Sequence, residues 1–540
     1  MAYSYIIKNV SMIDGSGEPA RKADVGISGK EINAVGNVSE AEGGLVIDGA
    51  GLYCMPGMID VTNHADRNFS LFHAPEAENL VRQGITTIVT GVCGISLAPL
   101  TSPEDINVVS PWIDINSVNT DWLSFAEFRE TLRRQKLGVN VMTLVGYATI
   151  ASHETESSRG DAESSRGDDS ALFLFEQALR EGARGFSISL HHAPGQVISE
   201  ESLLAFAEHT REYHGLFSLH LRDEGADLLP SVAEAIRIAR LSGARTHIAH
   251  LQALGRTNWQ KFSEALAMIR RAREEGIKIS ADAAPYGRTN ARLASLLPAW
   301  AREGGEKRIK ERLADAAERR KIEEALRALT LHADRILFAF LDKEKELVGK
   351  TLAQAAELRS VALETALLDI LYVNDLRVRV FSKTISKQNV REAFNEAFVA
   401  VSSNGDIALS SEEQPHHLLE KELPHPRSFG TLPRFFDQFV KKGEHESAIM
   451  HESTRGVLSW EEAVRRVTSL PAEIAGIADR GLIKIGMRAD LVLFDPAAVK
   501  DRATYLHPYQ YPEGIKYVFV NGKLLVSDGK FHPLPAGEVL

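Results

Sequence analysis

Short apolar runs separated by glycine-containing turns occupy both ends of the chain. Near the amino terminus, four runs of alternating apolar and polar residues, at 5–10, 23–27, 31–35 and 45–47, predict β-strands. Near the carboxyl terminus, residues 489–495 and 515–526 have the same character, and Asn521-Gly522 is a strong signal for a two-residue hairpin. The pattern predicts one small β-sandwich domain built from residues 1–56 and 482–540.

Residues 57–481 alternate β-branched apolar runs with stretches of helical period. Residues 202–214 and 259–275 repeat apolar side chains at helical spacing, and each stretch ends before a glycine. The runs that predict parallel strands lie at 59–63, 85–90, 139–147, 186–190, 216–220, 246–250, 277–282 and 398–403. These βα units predict an α/β protein with a (β/α)8 TIM barrel. Residues 290–345, rich in Arg, Glu, Ala and Leu, predict a mostly helical insertion after barrel strand 7.

The charge balance and the cysteine count narrow the classes of function. The 540 residues include 62 Lys+Arg and 73 Asp+Glu, a net charge of −11. We therefore expect a small-molecule partner, with no nucleic acid and no membrane surface. Two cysteines, Cys54 and Cys93, exclude a disulfide scaffold and favour a reducing compartment. The start of the chain does not resemble a secretion signal, so we expect a cytoplasmic protein. A homodimer is compatible with this size.

Two polar segments predict surface loops. Residues 156–169, ESSRGDAESSRGDD, are a seven-residue direct repeat of charged and small residues, typical of a flexible loop. Residues 414–431 contain His416, His417 and His425 between the eighth strand and the next helix. They predict either a lid or a loop with solvated histidines.

Polar residues cluster where the predicted barrel strands end, which is where barrel enzymes place their active sites. They are His64, Cys93, His191, His192, His220, His250, Asp282 and Asn404. Cys93, His220 and His250 together offer a thiolate and two imidazoles, which suits Zn²⁺ with a fourth position open for water. The alternative for Cys93, in the sequence GVCGIS, is a small buried apolar residue.

Several motifs resemble those of the N-acyl-D-amino-acid deacylases of the amidohydrolase superfamily. They are GITTIVTGVCGIS (84–96), HLRDEG (220–225), HIAHLQALGRTNW (247–259), DAAPYGRT (282–289) and HPRSFGTLPRF (425–435), and the resemblance covers nearly the whole chain. It implies a zinc-dependent amidohydrolase that acts on the amide bond of an N-acyl amino acid. It also implies that Cys93, His220 and His250 hold the zinc.

The chain departs from this family at two catalytic positions. The family has His-x-His after the first strand, where this chain has Thr62, Asn63 and His64, and an aspartate base after the eighth strand, where it has Asn404. An amide has no accessible pKa for proton transfer, so Asn404 cannot be the base. With a ligand position lost, we expect one zinc ion per chain. Candidates for the replacement base are His192 and His64 first, then Glu224, Asp66 and Asp406.

Candidate substrate-binding residues follow from the same motifs. Arg427 lies where the family anchors the substrate carboxylate with arginine, and a guanidinium offers two parallel donors to a carboxylate. Arg288 and Tyr286 follow the seventh strand. For either arginine the alternative is a surface salt bridge, and Arg427 is the better candidate by its motif. Gln252 replaces a lysine, and His192 replaces a tyrosine, at positions that border the family's active site.

Three functions fit these changes. The first is zinc-dependent hydrolysis of an N-acyl amino acid or related amide with a non-standard base. The second is another reaction on the same scaffold, such as amide formation, acyl transfer, or a lyase or cyclisation step. The third is a non-catalytic relative that binds a ligand or a partner. Retention of three zinc ligands favours the first.

Overall fold

The computed structural model describes residues 2–40, 43–110, 113, 115–151, 164–192, 194–328, 332–408, 422–441 and 458–540. Residues 156–163 of the direct repeat, as well as His416 and His417, lie outside this part. Within the described ranges, no helix is both long enough and apolar enough to cross a membrane.

The amino-terminal strands begin the small β domain. Their bounds are β1 (Tyr5–Met12), β2 (Arg21–Ser28), β3 (Glu31–Gly36), β4 (Leu45–Asp48) and β5 (Tyr53–Pro56). Their inward side chains, including Val25 and Ile27, are fully buried, as the alternating pattern predicts.

The middle of the chain forms the predicted (β/α)8 barrel. Its first strands are β6 (Met58–Asp60), β7 (Ile85–Thr90), β8 (Asn140–Thr143), β9 (Val145–Gly146), β10 (Gly185–Ser189), β11 (Leu216–His220), β12 (Thr246–Ile248) and β13 (Ile279–Ala283). All paired neighbours are parallel. The run predicted at 139–147 is divided at Leu144 into β8, which pairs with β7, and β9, which pairs with β10.

The insertion after β13 is longer than the predicted 290–345 and contains a sheet. Strands β14 (Thr289–Arg292), β15 (Ile336–Leu341) and β16 (Val378–Ser382) form an antiparallel sheet in the order β14-β16-β15. Its helices are Ala299–Arg302, Gly305–Ala314, Ala316–Ala328, Leu352–Arg359 and Leu363–Val373. The insertion has its own apolar core, which explains why it folds as a unit beside the barrel.

The eighth barrel strand, β17 (Val399–Val401), pairs with β13. A parallel bridge between Asn63 and Gly405 closes the barrel against the first strand. The other helices of the barrel and its connections are Ser70–His73, Glu78–Val81, Phe125–Arg133, Tyr147–Ile150, Ser164–Arg180, Glu200–Glu212, Leu228–Ser242, Phe262–Glu274, Lys387–Asn395, Arg427–Phe436, Trp460–Val467 and Ser469–Ala475.

The carboxyl-terminal strands complete the small domain, as predicted. Strands β18 (Leu491–Phe494), β19 (Ile515–Val520), β20 (Lys523–Ser527) and β21 (Lys530–Phe531) join one continuous sheet in the order β21-β20-β19-β18-β5-β1-β2-β3, with β4 paired to β1. The last residues then run along the barrel: Val539 bridges Val141, and the Leu540 backbone N–H donates to the Val141 carbonyl at 2.9 Å.

Candidate metal centre and active site

Three potential metal ligands from three barrel strands meet at the carboxyl-terminal end of the barrel. Cys93 follows β7, His220 ends β11 and His250 follows β12. One ligand atom of each residue lies within 4.8 Å of the other two, and Cys93 Sγ lies 3.3 Å from His250 Nε2. Burial opposes ionisation of Cys93, but the charge and hydrogen bonds of the two histidines outweigh burial and hold the thiol pKa well below its usual range.

This donor set fits a zinc ion. His220 Nε2 is buried and makes no hydrogen bond within the described residues, as expected for an imidazole nitrogen reserved for a metal. A thiolate and two imidazoles are ligands that zinc prefers, and three protein ligands leave one tetrahedral position for water or substrate. In the described part of the chain, this is the one group of three such side chains with metal-ligand spacing.

Glu224 lies close to both histidines of the candidate metal centre. Its Oε1 accepts a hydrogen bond from His250 Nδ1 at 3.1 Å, and its Oε2 lies 3.7 Å from His220 Nε2. Because His250 Nδ1 carries this proton, His250 Nε2 is left to face Cys93. Gln252 Nε2 donates to Glu224 Oε2 at 2.8 Å, so the predicted substrate residue Gln252 contacts this carboxylate.

His64 and Asn404 form a close pair beside Cys93. Asn404 Oδ1 lies 2.7 Å from His64 Nε2. The amide oxygen faces the ring, so it accepts the Nε2 proton and leaves Nδ1 unprotonated. The backbone N–H of His64 also donates to the Gly405 carbonyl at 2.7 Å. Burial and the positive charge of Arg67 lower the pKa of His64 to about 4, which makes its imidazole neutral at pH 7.

The neighbouring side chains of the first strand do not face the metal ligands. Thr62 Oγ1 donates to Asp282 Oδ2 at 2.6 Å, and Asn63 Nδ2 donates to Asp60 Oδ2 at 2.9 Å. Asp282 is fully buried and also accepts from His247 Nε2 at 2.8 Å and from the His250 backbone N–H at 3.0 Å. Thr62 is thus part of a hydrogen-bond network beneath the metal ligands.

The other candidate bases have different surroundings. Both oxygens of Asp66 accept backbone N–H groups, from Gly91 at 2.6 Å and Arg67 at 2.9 Å. Asp406 accepts hydrogen bonds from Ser428 Oγ at 2.6 Å and from Asn68 Nδ2 at 3.2 Å. His192 is exposed, with its ring edge-on to that of His220 at 5.7 Å between centroids.

Arg427 has the surroundings expected of an anion-binding residue. It begins the helix Arg427–Phe436. Within the described residues its guanidinium makes no hydrogen bond or ion pair, and only burial and the charges of its neighbours act on it. Burial lowers the pKa of Arg427 to about 10, whereas the negative charges of Asp406 and Cys93 act in the opposite direction. The guanidinium remains charged at neutral pH and is available to a ligand.

The two other predicted substrate residues have partners in the protein. Arg288 donates to the Arg335 carbonyl at 3.4 Å and lies over the ring of Tyr505 at 5.1 Å. Tyr286 is buried, and its hydroxyl donates to the Pro426 carbonyl at 3.3 Å. Tyr286 therefore contacts the backbone that leads into Arg427 through its hydroxyl, whereas Arg288 contacts that segment through its own carbonyl, which lies 3.1 Å from His425 Nε2.

Three functional features were missed by the sequence analysis. The link made by Glu224 depends on a contact with His250, which is 26 residues away. The network around Asp282 joins four strands. His425 was assigned to a lid or a solvated loop, but it is buried. Its place beside Arg427 in HPRSFGT was the one available signal.

Comparison with known proteins relates the whole chain to deacylases. A model of the amidohydrolase family matches residues 443–526. An N-acyl-D-aspartate deacylase of Alcaligenes xylosoxydans xylosoxydans is 31% identical over 99% of this chain and 94% of the relative. An N-acyl-D-glutamate deacylase of the same organism is 30% identical over 96% of this chain and 92% of the relative.

A solved structure has the same architecture over its full length. It is the N-acyl-D-glutamate deacylase of Bordetella bronchiseptica, complexed with zinc and a phosphonate inhibitor that mimics the tetrahedral intermediate of the reaction. The TM-score is 0.78 at 26% identity, with 100% of both chains covered.

Proposed function

Because the chain belongs to the N-acyl-D-amino-acid deacylase family of amidohydrolases, we propose that it hydrolyses the amide bond of an N-acyl-D-amino acid with one zinc ion. The observation that carries the proposal is the convergence of Cys93, His220 and His250 within 4.8 Å. These three residues would hold the ion. Zinc bound there supplies a Lewis acid for the scissile carbonyl and lowers the pKa of water.

His64 is the proposed general base. Asn404 orients the ring through the 2.7 Å contact with Nε2, so Nδ1 is the atom that accepts a proton from the attacking water. The same imidazole can then deliver that proton to the leaving amine. An amide that orients a histidine in this way has a precedent in the Cys-His-Asn arrangement of other hydrolases.

The count of one ion per chain rests on the environment of Thr62. Its hydroxyl is committed to Asp282 at 2.6 Å, and a threonine hydroxyl is a poor zinc ligand compared with imidazole. His64 is then the only member of the former His-x-His pair that faces the site, and it is held by Asn404. A second ion would therefore lack ligands.

Arg427 is the proposed anchor for the substrate carboxylate. Its guanidinium has no competing hydrogen bond within the described residues, and it lies near enough to Cys93 and His64 for its positive charge to act on both side chains. A bidentate contact with the carboxylate would place the neighbouring amide at the metal ligands.

The first experiment combines metal analysis with an amine-release assay. Wild-type protein should contain close to one zinc per chain, and Cys93→Ala should contain none. N-acetyl derivatives of D- and L-amino acids should be assayed in parallel, with the D series expected to react. His64→Ala should lower kcat by roughly 10²- to 10⁴-fold, the usual effect of losing a general base, while retaining zinc.

Other results would change the proposed function or the proposed role of His64. Zinc without amine release, but with acyl transfer to an added nucleophile, would favour the non-hydrolytic reaction on this scaffold. Absence of zinc in the wild-type protein would contradict the proposal as a whole. Full activity of His64→Ala would remove His64 as the base and leave the hydrolase assignment in place.

A further inference from the structure

His425 contacts the backbone of Arg427 from inside the protein. The histidine is 2% exposed. One ring nitrogen, Nε2, lies 3.1 Å from the Arg288 carbonyl, and the other, Nδ1, accepts the backbone N–H of Arg427 at 3.1 Å. A carbonyl can only accept and an N–H can only donate, so these contacts require the proton on Nε2.

Three aromatic rings hold the imidazole in place. Tyr286, Phe381 and Tyr505 meet it edge-on, with centroids at 5.1, 5.1 and 5.2 Å. They belong to the loop after β13, to strand β16 of the insertion and to the segment after β18. Because the rings come from three separate parts of the chain, rotation of His425 would disturb all three.

The backbone of Arg427 is fixed on both sides while its side chain stays available. Its N–H is bound by His425, and its carbonyl accepts from Thr431 Oγ1 at 2.7 Å. The preceding Pro426 carbonyl accepts from Tyr286. The segment leading to it is attached to the insertion, since the Leu423 N–H donates to the Ala339 carbonyl at 2.8 Å.

We propose that His425 is a positioning residue that aims Arg427 at the substrate carboxylate. The proposal rests on the proposed function, in which Arg427 binds that carboxylate. Its basis is the pair of hydrogen bonds made by His425, its aromatic surroundings, and the guanidinium of Arg427, which has no hydrogen bond within the described part of the chain. It makes the insertion part of substrate recognition, through Phe381 and the attachment at Leu423.

Two substitutions separate positioning from packing. His425→Phe keeps a ring among Tyr286, Phe381 and Tyr505 but removes both hydrogen bonds. His425→Asn keeps a side-chain acceptor near the position of Nδ1. Each is compared with wild type and with Arg427→Ala, alone and combined with His425→Phe. The substrates are N-acetyl-D-glutamate and its α-carboxamide, which lacks the anchored carboxylate.

His425→Phe should raise KM for N-acetyl-D-glutamate roughly 10-fold with little change in kcat. This is the usual effect of losing one hydrogen bond, here the bond to the Arg427 backbone N–H. His425→Asn should recover most of this loss. The carboxamide should be cleaved equally by wild type and His425→Phe. Adding His425→Phe to Arg427→Ala should cause no further loss, because the two residues act as one unit.

Three outcomes would overturn the proposal: equal losses on both substrates, losses that multiply in the double variant, or unchanged KM in His425→Phe. The proposed function fails separately if wild type cleaves neither substrate. Calorimetric binding of N-acetyl-D-glutamate to the same variants would then decide the positioning role. If Arg427→Ala has no effect in either assay, the anchor and the positioning role fall together.

Discussion

At the residue scale, the candidate site is built from strained backbone. Cys93, His250 and Asn404 have φ angles of 54°, 41° and 48°, in the left-handed region that residues with a Cβ rarely adopt. Such conformations persist when surrounding contacts impose them. For His250 the contact is the 3.0 Å hydrogen bond from its N–H to Asp282. These three strained residues lie at the end of the barrel where the candidate metal ligands meet.

Glu224 offers a test of how the ligand orientation is maintained. Glu224→Gln keeps the shape of the side chain but replaces the carboxylate that accepts from His250 Nδ1. We expect zinc to bind about 10- to 100-fold more weakly, the usual effect of losing such a partner of a metal ligand. Competition against a chromophoric chelator measures this change.

The matched control is Asp223→Asn, because Asp223 is the adjacent carboxylate and it caps backbone N–H groups of Gly225 and Asp227 instead of the histidines. It should leave zinc affinity unchanged. Equal affinity of Glu224→Gln and wild type would contradict the role assigned to Glu224.

At the element scale, Asn521 and Gly522 form the turn of the hairpin between β19 and β20, as their sequence predicts. Asn521 and Gly522 have φ angles of 46° and 74°. A Cβ added at Gly522 would lie 1.9 Å from the Gly29 carbonyl oxygen. Gly522→Ala should therefore lower the unfolding midpoint clearly more than Gly29→Ala, where φ is 59° but no atom lies within 4 Å.

The control substitution at Gly29 should cost only the left-handed backbone energy, roughly 1 kcal/mol. Thermal unfolding of both variants measures the difference. Equal midpoints would mean that the hairpin can move away from the turn at Gly29 without loss of stability.

The stability of the folded protein should depend on pH through His425, which lies just before the helix Arg427–Phe436. Burial and the charges of Arg427, Arg434 and Arg288 hold the pKa of His425 well below its ordinary value, and Tyr286 and Tyr505 also face it. The unfolded chain, with a histidine pKa near ~6.5, then binds a proton that the folded chain does not. This lowers stability as pH falls below that value, by up to about 1.4 kcal/mol per pH unit.

Denaturant unfolding of wild type and His425→Phe at pH 7, 6 and 5 isolates this contribution. The stability advantage of wild type over His425→Phe should shrink as the pH falls. A constant difference would mean that His425 becomes protonated without cost in the folded protein.

At the scale of the whole molecule, Arg480 joins the barrel to the small domain. Its guanidinium is 1% exposed and lies 3.5 Å from Asp490 Oδ2 and 3.3 Å from Glu538 Oε2. It also donates to Asn521 Oδ1 at 3.0 Å and to Asn140, the first residue of β8, at 3.4 Å. One buried cation thus contacts the barrel, the hairpin and the carboxyl-terminal segment.

Removal of Arg480 should destabilise the fold. Arg480→Met leaves Asp490 buried without its cation, which costs about 3–5 kcal/mol for a buried pair. The double variant with Asp490→Asn should regain part of this loss. Arg488→Met, which removes a half-exposed ion pair with Asp479, should cost about 0–1 kcal/mol. Chemical denaturation measures the free energy of unfolding of all three variants. A small effect of Arg480→Met would contradict the proposed role of Arg480 in joining the barrel to the small domain.

The sequence by itself determined the architecture and identified the candidate metal ligands. Periodicity of two in the terminal runs and alternating βα units are local properties, so the barrel, the two-ended β domain and the Asn521-Gly522 turn followed from them. Cys93, His220 and His250 could be selected because parallel strands end at one face of a barrel. The insertion was only partly foreseen, because short strands such as β16 lie between strongly helical stretches.

Only the tertiary structure decided which side chains act on one another. Thr62 meets Asp282 across 220 residues, and His64 meets Asn404 across 340. His425, for which the sequence predicted either a lid or a solvated loop, is buried because the insertion supplies Phe381 to enclose it. Hydrogen bonds and packing between distant segments depend on the folded path of the chain, and no local pattern in the sequence records that path.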